Sequence, residues 1–420
     1  MRSDGSSRFA PSDRYGYFPS VSLGWNVSKE SFWKFPQTDL KFRLSYGKTG
    51  NQDGIGNYAW QPLMSGGINY GNNSGMAVTS MGNNKLTWET ADQYDFGFDL
   101  GFWNGKLNMI ADIYLKNTNN LLYSMPLHGT SGFTSITSNI GSMRNYGVEF
   151  SINGHMNIGK VNWTSSFNIS HNKNKLTKLL GDDLLPIGAN RALKVGKELG
   201  AFYLFQMDGL YQYDGEVPQP LYDLGVRAGD VKYHDVDNNG IINDNDRVLT
   251  GSSNPDFFGG WNNTFKYKGF QLDVFFTYMY GNDVYAEWAV TATRPGYRMA
   301  ITEDVAKNRW TAPGSSDKYP RAVNTLCGHN SKNSTRFLED GSFIRLRSLT
   351  FSYTFPQVML QKIRLKGLRM YVQGDNLLLF SKYSGWDPEV SKNMDPQFFG
   401  VDLYGVPPSR SVNFGINLSF

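Results

Sequence analysis

Apolar residues recur at every second position through much of this chain, and that recurrence predicts strands. At one end of the sequence Val412, Phe414, Ile416, Leu418 and Phe420 share a face, while Ser411, Asn413, Gly415, Asn417 and Ser419 share the other. Alternation of this length marks a strand with one apolar and one polar side. The same period runs through Tyr94 to Phe102, Leu107 to Leu115, Tyr146 to Ile152, Val161 to Ile169, Phe270 to Tyr280 and Leu349 to Phe355. Runs near 17–27, 40–47, 257–267 and 368–380 bring the total to about eleven long strands. Amphipathic helical patterns are scarce, with one short turn expected in 356–366.

The connections alternate in length. Trp103-Asn104-Gly105-Lys106, the stretch 154–160 and Lys268-Gly269 read as tight turns built on Gly and Asn. Long polar segments lie between those hairpins, at 48–86, 116–145, 172–256, 281–342 and 381–410. Strands of about ten residues joined by short turns at one end and long loops at the other predict a portion of an antiparallel transmembrane β-barrel, about eleven of about 22 strands. If the last strand descends from outside to periplasm, every short turn falls inside and every long loop outside. Arg410 continues the parity of Val412, and Arg345 and Arg347 that of Leu349. All three are expected at the outer strand ends, facing lipid phosphates. The alternative is a soluble sheet with ordinary edge arginines.

Composition narrows this further. Aromatic residues make up 15% of the chain, which argues against disorder. No window approaches about 18 consecutive apolar residues, which excludes membrane-spanning helices. Cys327 is the only cysteine, so neither a disulfide framework nor a cysteine-based zinc site is available. A net charge of +4, dispersed along the chain, gives nucleic acid nothing to hold. The opening MRSDGSSRFAPSDRYG lacks an apolar leader, which by itself would suggest the cytoplasm; the strand pattern outweighs it.

Several segments carry a family resemblance. They include Asp4-Gly5-Ser6-Ser7-Arg8-Phe9, Gly16 to Ser22, Leu44-Ser45-Tyr46-Gly47-Lys48-Thr49-Gly50-Asn51-Gln52 and Gly229-Asp230-Val231-Lys232-Tyr233-His234-Asp235. Asn254-Pro255-Asp256-Phe257, Asp340 to Arg347 and Asp375-Asn376-Leu377 follow in order. Together they resemble the C-terminal part of SusC/RagA-type TonB-dependent outer-membrane transporters. The resemblance implies residence in the outer membrane of a Gram-negative bacterium and uptake of an oligosaccharide or peptide energised through TonB. It further implies a SusD-like surface lipoprotein as partner, and contact with outer-membrane lipid. Signal peptide, TonB-contacting segment and plug are not visible, so the chain reads as a barrel half from a truncated gene, a split gene or a piece cut from a longer protein, with TonB reached through the missing region. A passive porin or calcium-stiffened adhesin, and a soluble carbohydrate-binding module, remain alternatives.

The sharpest local motif is Asp235 to Asp246. It matches a twelve-residue calcium loop, with Asp235, Asp237 and Asn239 at the early ligand positions, Gly240 at the bend, the Ile241 carbonyl, Asn243, and Asp246 closing. Ile242 is expected to anchor the loop in a core. The competing reading is an Asn/Asp-rich turn without an ion. Catalytic motifs are missing and the five histidines are scattered, so no enzyme is indicated; Cys327 and His329 read as a pair without a role. Loop aromatics Trp60, Tyr70, Trp88, Trp288, Tyr297, Trp310, Tyr383 and Trp386 are candidates for substrate contact, against packing as the alternative. Phe420, ending an alternating strand, resembles the signal read by the barrel-assembly machinery.

Overall fold

The structure, a computed structural model, describes residues 1–179, 184–296, 299–324, 328–361, 364–392 and 398–420. Among the described residues eleven strands join in one sheet. They are β1 (Ser20–Asn26), β2 (Thr38–Asn51), β3 (Glu89–Phe102), β4 (Leu107–Pro126), β5 (Ser135–Ile158) and β6 (Val161–Leu179). The remainder are β7 (Phe257–Tyr267), β8 (Phe270–Tyr280), β9 (Phe343–Thr354), β10 (Gly367–Ser381) and β11 (Ser411–Ser419). Order across the sheet is order along the chain, and pairings from β1 to β5 and from β7 to β11 are antiparallel. The predicted all-β class and strand number stand. No described helix is long and apolar enough to cross a membrane.

Backbone contacts group the chain into two compact units, one of Met1–Met156, Ser166–Leu184 and Lys194–Leu199, the other of Asn157–Ser165, Leu185–Leu193 and Gly200–Phe420. In the first, register aligns Leu23, Leu44, Phe96, Ile113 and Val148 in a row across β1 to β5. All five are exposed. One residue along each strand, the opposite face carries Gly24, Arg43, Gly97, Asp112 and Glu149, because successive side chains leave a strand on opposite sides. Arg43 bridges Asp99 and Asp112 at 2.9 and 2.8 Å. Gly97 makes room for it: a Cβ there would meet the Asp112 carboxylate and the Arg43 guanidinium.

The second unit repeats the pattern. Phe265, Leu272, Phe351, Val372 and Phe414 form one row, and Thr264, Asp273, Thr350, Gln373 and Asn413 the row beside it on the other face. Lys268 and Gly269, at φ 46° and 90°, supply the two left-handed residues that a two-residue hairpin turn requires.

Three expectations are corrected. The excursion expected at 172–256 starts later, because β6 runs on to Leu179. Segment 116–145 is not a long loop: β4 and β5 run through most of it and leave 127–134 as the connection. Polar residues there read as loop, yet Asn117, Thr118 and Asn119 pair with Arg144, Met143 and Ser142, since a ladder needs only backbone groups. Arg345 and Arg347 do not share the Leu349 face. Register skips Arg347 on both sides, pairing Ser348 with Phe275 and Leu346 with Phe276, and Ser348 with Asp375 and Leu346 with Leu378. One extra residue in a strand is a β-bulge and reverses the parity beyond it. Arg345 is therefore buried, 3% exposed, donates to Asp387 at 2.6 Å and forms an ion pair with Glu389 at 3.0 Å. Arg347 pairs with Glu389 at 2.8 Å.

The long connections fold rather than wander. In the second unit Phe202, Leu204, Val284, Tyr285, Phe337 and Val401 anchor one core, and Phe205, Tyr211, Leu221, Val231, Tyr233 and Ile242 another. The first unit has a smaller core of Phe9, Phe18, Ile55, Leu86 and Trp88.

Candidate functional site

The loop 235–246 leaves the short strand Val231–Tyr233 and ends in a single helical turn, Asp244–Asp246. Asn238 and Gly240 take φ of 57° and 77°, the reversal that Gly tolerates without strain. Ile242 is buried in the core around Tyr211 and Leu221, so one apolar side chain pins the loop while its acids stay together. Carboxylate oxygens of Asp235, Asp237 and Asp246 lie within 4.8 Å of one another. Asp246 is fully buried and accepts from the Val236 and Asn243 N–H groups at 2.9 and 2.8 Å. Asp235 accepts from the Gly240 and Asn239 N–H groups at 2.7 and 3.2 Å. The Asn239 and Asn243 side-chain oxygens accept from Ile241 and Asn245 N–H groups at 2.8 and 2.9 Å.

The electrostatics of the three acids diverge. Desolvation raises the Asp235 carboxyl, but its N–H donors from Gly240 and Asn239 outweigh that and hold it below the usual range. Desolvation pushes Asp237 above that range, and the neighbouring charges of Asp246 and Asp235 add to the rise. A divalent ion answers such crowding, since hard cations take carboxylate, amide and carbonyl oxygens. Lys332 is the nearby monovalent answer: burial holds it below its usual range against the pull of Asp244 and Asp246, and its ammonium lies 4.7 Å from the centre of the Phe205 ring.

The proposed aromatic platforms divide. Trp88 belongs to a core, packed against Phe9 and Phe18 with its Nε1–H donated to the Arg14 carbonyl at 3.2 Å. Trp288 packs against the Tyr285 core and donates to the Tyr383 hydroxyl at 3.1 Å. Tyr383 is buried, and its hydroxyl donates to Asp402 at 2.7 Å. Trp310 packs beside Tyr211 and donates to the Gln212 side chain at 3.1 Å. Packing, the alternative reading, thus describes these four rings. Tyr70 and Trp386 are 90% and 80% exposed. Trp60 is half-buried, and its buried Nε1–H has no partner among the described residues. Tyr297 and Cys327 lie outside the described residues. Phe420 is exposed.

One cluster escapes sequence reasoning. Asp230, buried, accepts from Arg321 Nε and Nη2 at 2.9 Å each, from Asn330 Nδ2 at 2.8 Å and from the Arg227 N–H at 2.9 Å. His329 Nε2–H donates to the Val231 carbonyl at 2.8 Å, and its ring meets Tyr233 edge-on. A cavity of about 370 Å³ opens beside these residues. The only signal in the sequence is the Gly229-Asp230-Val231 segment, whose partners lie about a hundred residues away.

Comparison with known proteins adds three findings. A family model described as TonB dependent receptor-like, beta-barrel matches residues 1–377. TonB-dependent receptor P3 of Formosa agariphila is 34% identical over the whole of this chain and 43% of its own length, and TonB-dependent receptor SusC of Bacteroides thetaiotaomicron is 30% identical over the whole chain and 42% of its own. A solved structure of the RagAB peptide transporter superposes with a TM-score of 0.86 at 27% identity, covering all of this chain and 45% of that one. The chain spans less than half the length of the curated relatives it matches.

Proposed function

Because the chain belongs to the TonB-dependent receptor-like β-barrel family, we propose that it forms the C-terminal barrel portion of an outer-membrane importer energised through TonB, which takes up oligosaccharides or peptides. The observation that carries this reading is the exposed apolar row Leu23, Leu44, Phe96, Ile113 and Val148, backed by a charged face one residue away. Water penalises such a row and lipid does not. In this reading the folded connections 184–256 and 281–342 are extracellular and meet a SusD-like lipoprotein, TonB acts through a part of the protein outside this sequence, and Phe420 is read by the barrel-assembly machinery. Cysteines at Asn73 and Ser315, in a Cys327→Ser background, should react with an impermeant thiol reagent on whole cells. Cysteines at Gly105 and Lys160 should not. The reverse pattern inverts the proposed sidedness.

A second reading concerns loop 235–246, which we propose binds calcium and stiffens its excursion. The convergence of Asp235, Asp237 and Asp246 supports it. Weak loops of this type bind at about 10⁻⁴–10⁻³ M, in reach of extracellular calcium. Calcium titration of the protein, followed by protease sensitivity within 184–256, tests it against the ion-free turn.

A further inference from the structure

The cavity beside Asp230 lies wholly within the second unit and shares Ile242 and Lys332 with the surroundings of the loop 235–246. At about 370 Å³ it falls in the lower part of the range of small-molecule pockets, about 300–1,000 Å³. Its floor is apolar: Leu221, Val226 and Ile242 come from the core, and Pro295 and Pro320 close the sides. Its lining carries three cations, Arg294, Arg321 and Lys332, against one acid, Asp230, among the described lining residues; Arg321 is paired with Asp230, and Asp244 and Asp246 attract Lys332 from outside the lining. Four donors already engage that acid, so it is not open to attract a cation.

His329 adds no charge to this balance. Its Nε2–H is committed to a backbone carbonyl, and burial, ahead of all other influences, holds it below the usual histidine range. No Phe, Tyr or Trp is present among the described lining residues. A neutral sugar would find neither a ring to stack on nor a free carboxylate to accept from its hydroxyls.

We propose that this cavity binds a free carboxylate attached to a compact apolar group, the chemistry presented by the C-terminal residue of a short peptide. The apolar part displaces water from the Leu221–Val226–Ile242 floor, and the carboxylate meets the cationic wall, where hydrogen bonds to charged groups are stronger than neutral ones. Arg321 is held in place for this by Asp230, which lines the same cavity and accepts from the guanidinium through both carboxylate oxygens. That such a ligand is the cargo rests on the import reading; that it binds does not.

The test is calorimetric titration of the full-length protein in detergent with four probes: N-acetyl-leucine, N-acetyl-leucine amide, glucuronate and maltotriose. N-acetyl-leucine should bind at least about tenfold more tightly than its neutral amide, the ratio expected when a charge-assisted bond is lost. It should likewise exceed glucuronate, which carries the anion without the apolar group, and maltotriose, which has neither. Lys332→Gln and Leu224→Asp, the latter on the exposed lip, should each weaken N-acetyl-leucine about tenfold and leave the amide unchanged. Because Leu224 is exposed, that variant keeps the test valid even where Lys332→Gln disturbs folding. Equal affinity for acid and amide, tighter binding of either sugar, or undiminished binding by Leu224→Asp would overturn the proposal. Intact binding with no uptake by cells would count against import and leave the pocket standing.

Discussion

The sheet and the folded connections follow one rule with opposite results. Across β1 to β5 the large apolar side chains Leu23, Leu44, Phe96, Ile113 and Val148 face outward, and Arg43, Asp99 and Asp112 face the other way. In the connections Phe202, Tyr285, Phe337 and Val401 are buried, and the charged residues that are buried with them, such as Asp230 and Arg191, are hydrogen-bonded. Each region hides from its solvent what that solvent penalises. The difference teaches that the sheet was selected against lipid and the connections against water.

Breaking the connections should have the largest effect. Asp387→Ala leaves Arg345 buried beside Glu389 with its closer partner gone, and losing one member of a buried pair costs about 3–5 kcal/mol. Segment 382–392 should become protease-sensitive while heat-modifiable gel mobility, the signature of the folded barrel, persists. Phe202→Ala empties the centre of the Tyr285 core, at about 3–5 kcal/mol, and limited proteolysis should then cut the connections first. Loss of heat-modifiability in either variant would show that the two regions are not separable.

The sheet gives the complementary experiment. Ile113→Arg puts a charge in the outward row and should cost about 2–4 kcal/mol of insertion, read as loss of heat-modifiable protein from the outer membrane. Asp112→Asn, one residue away on the polar face, should insert normally. Equal behaviour of the two would remove the distinction between the faces. The smallest effect is expected from the loop 235–246: calcium at tenfold excess over its dissociation constant contributes about 1.4 kcal/mol. Asp235→Ala with Asp237→Ala should abolish the protection of 184–256 by calcium, and unchanged proteolysis at matched ionic strength would leave the loop an ion-free turn.

The two regions were also unequally legible. Period two exposed every strand of the sheet, because the lipid and polar faces write an alternating pattern. It failed at Arg345, where a single bulged residue, Arg347, reverses the parity, and in the polar ends of β4 and β5, which pair without any apolar signal. The connections carry no period. For Trp88, Trp288, Trp310 and Tyr383 substrate contact and packing were both open, because their partners are distant in sequence, Trp310 and Gln212 being 98 residues apart. Ile242 was readable as an anchor because its loop motif fixes the position, whereas the Asp230–Arg321 pair, 91 residues apart, was not.

Arg191 shows what that distance means in time. Burial draws its guanidinium down to about 10, and it donates to the Gly200 carbonyl at 2.5 Å, to Ser253 at 3.2 Å and to the Phe399 carbonyl, 208 residues away. Hairpins such as β7–β8 close across two residues, and closing a loop becomes slower and costs more entropy as it lengthens. The sheet can therefore zip one hairpin after the next, whereas the Arg191 clasp must wait until β7 to β10 exist. Until it closes, Phe202, against whose ring the guanidinium rests, has lost its cover. Sequence distance thus delays the docking of the connections and not the pairing of the strands.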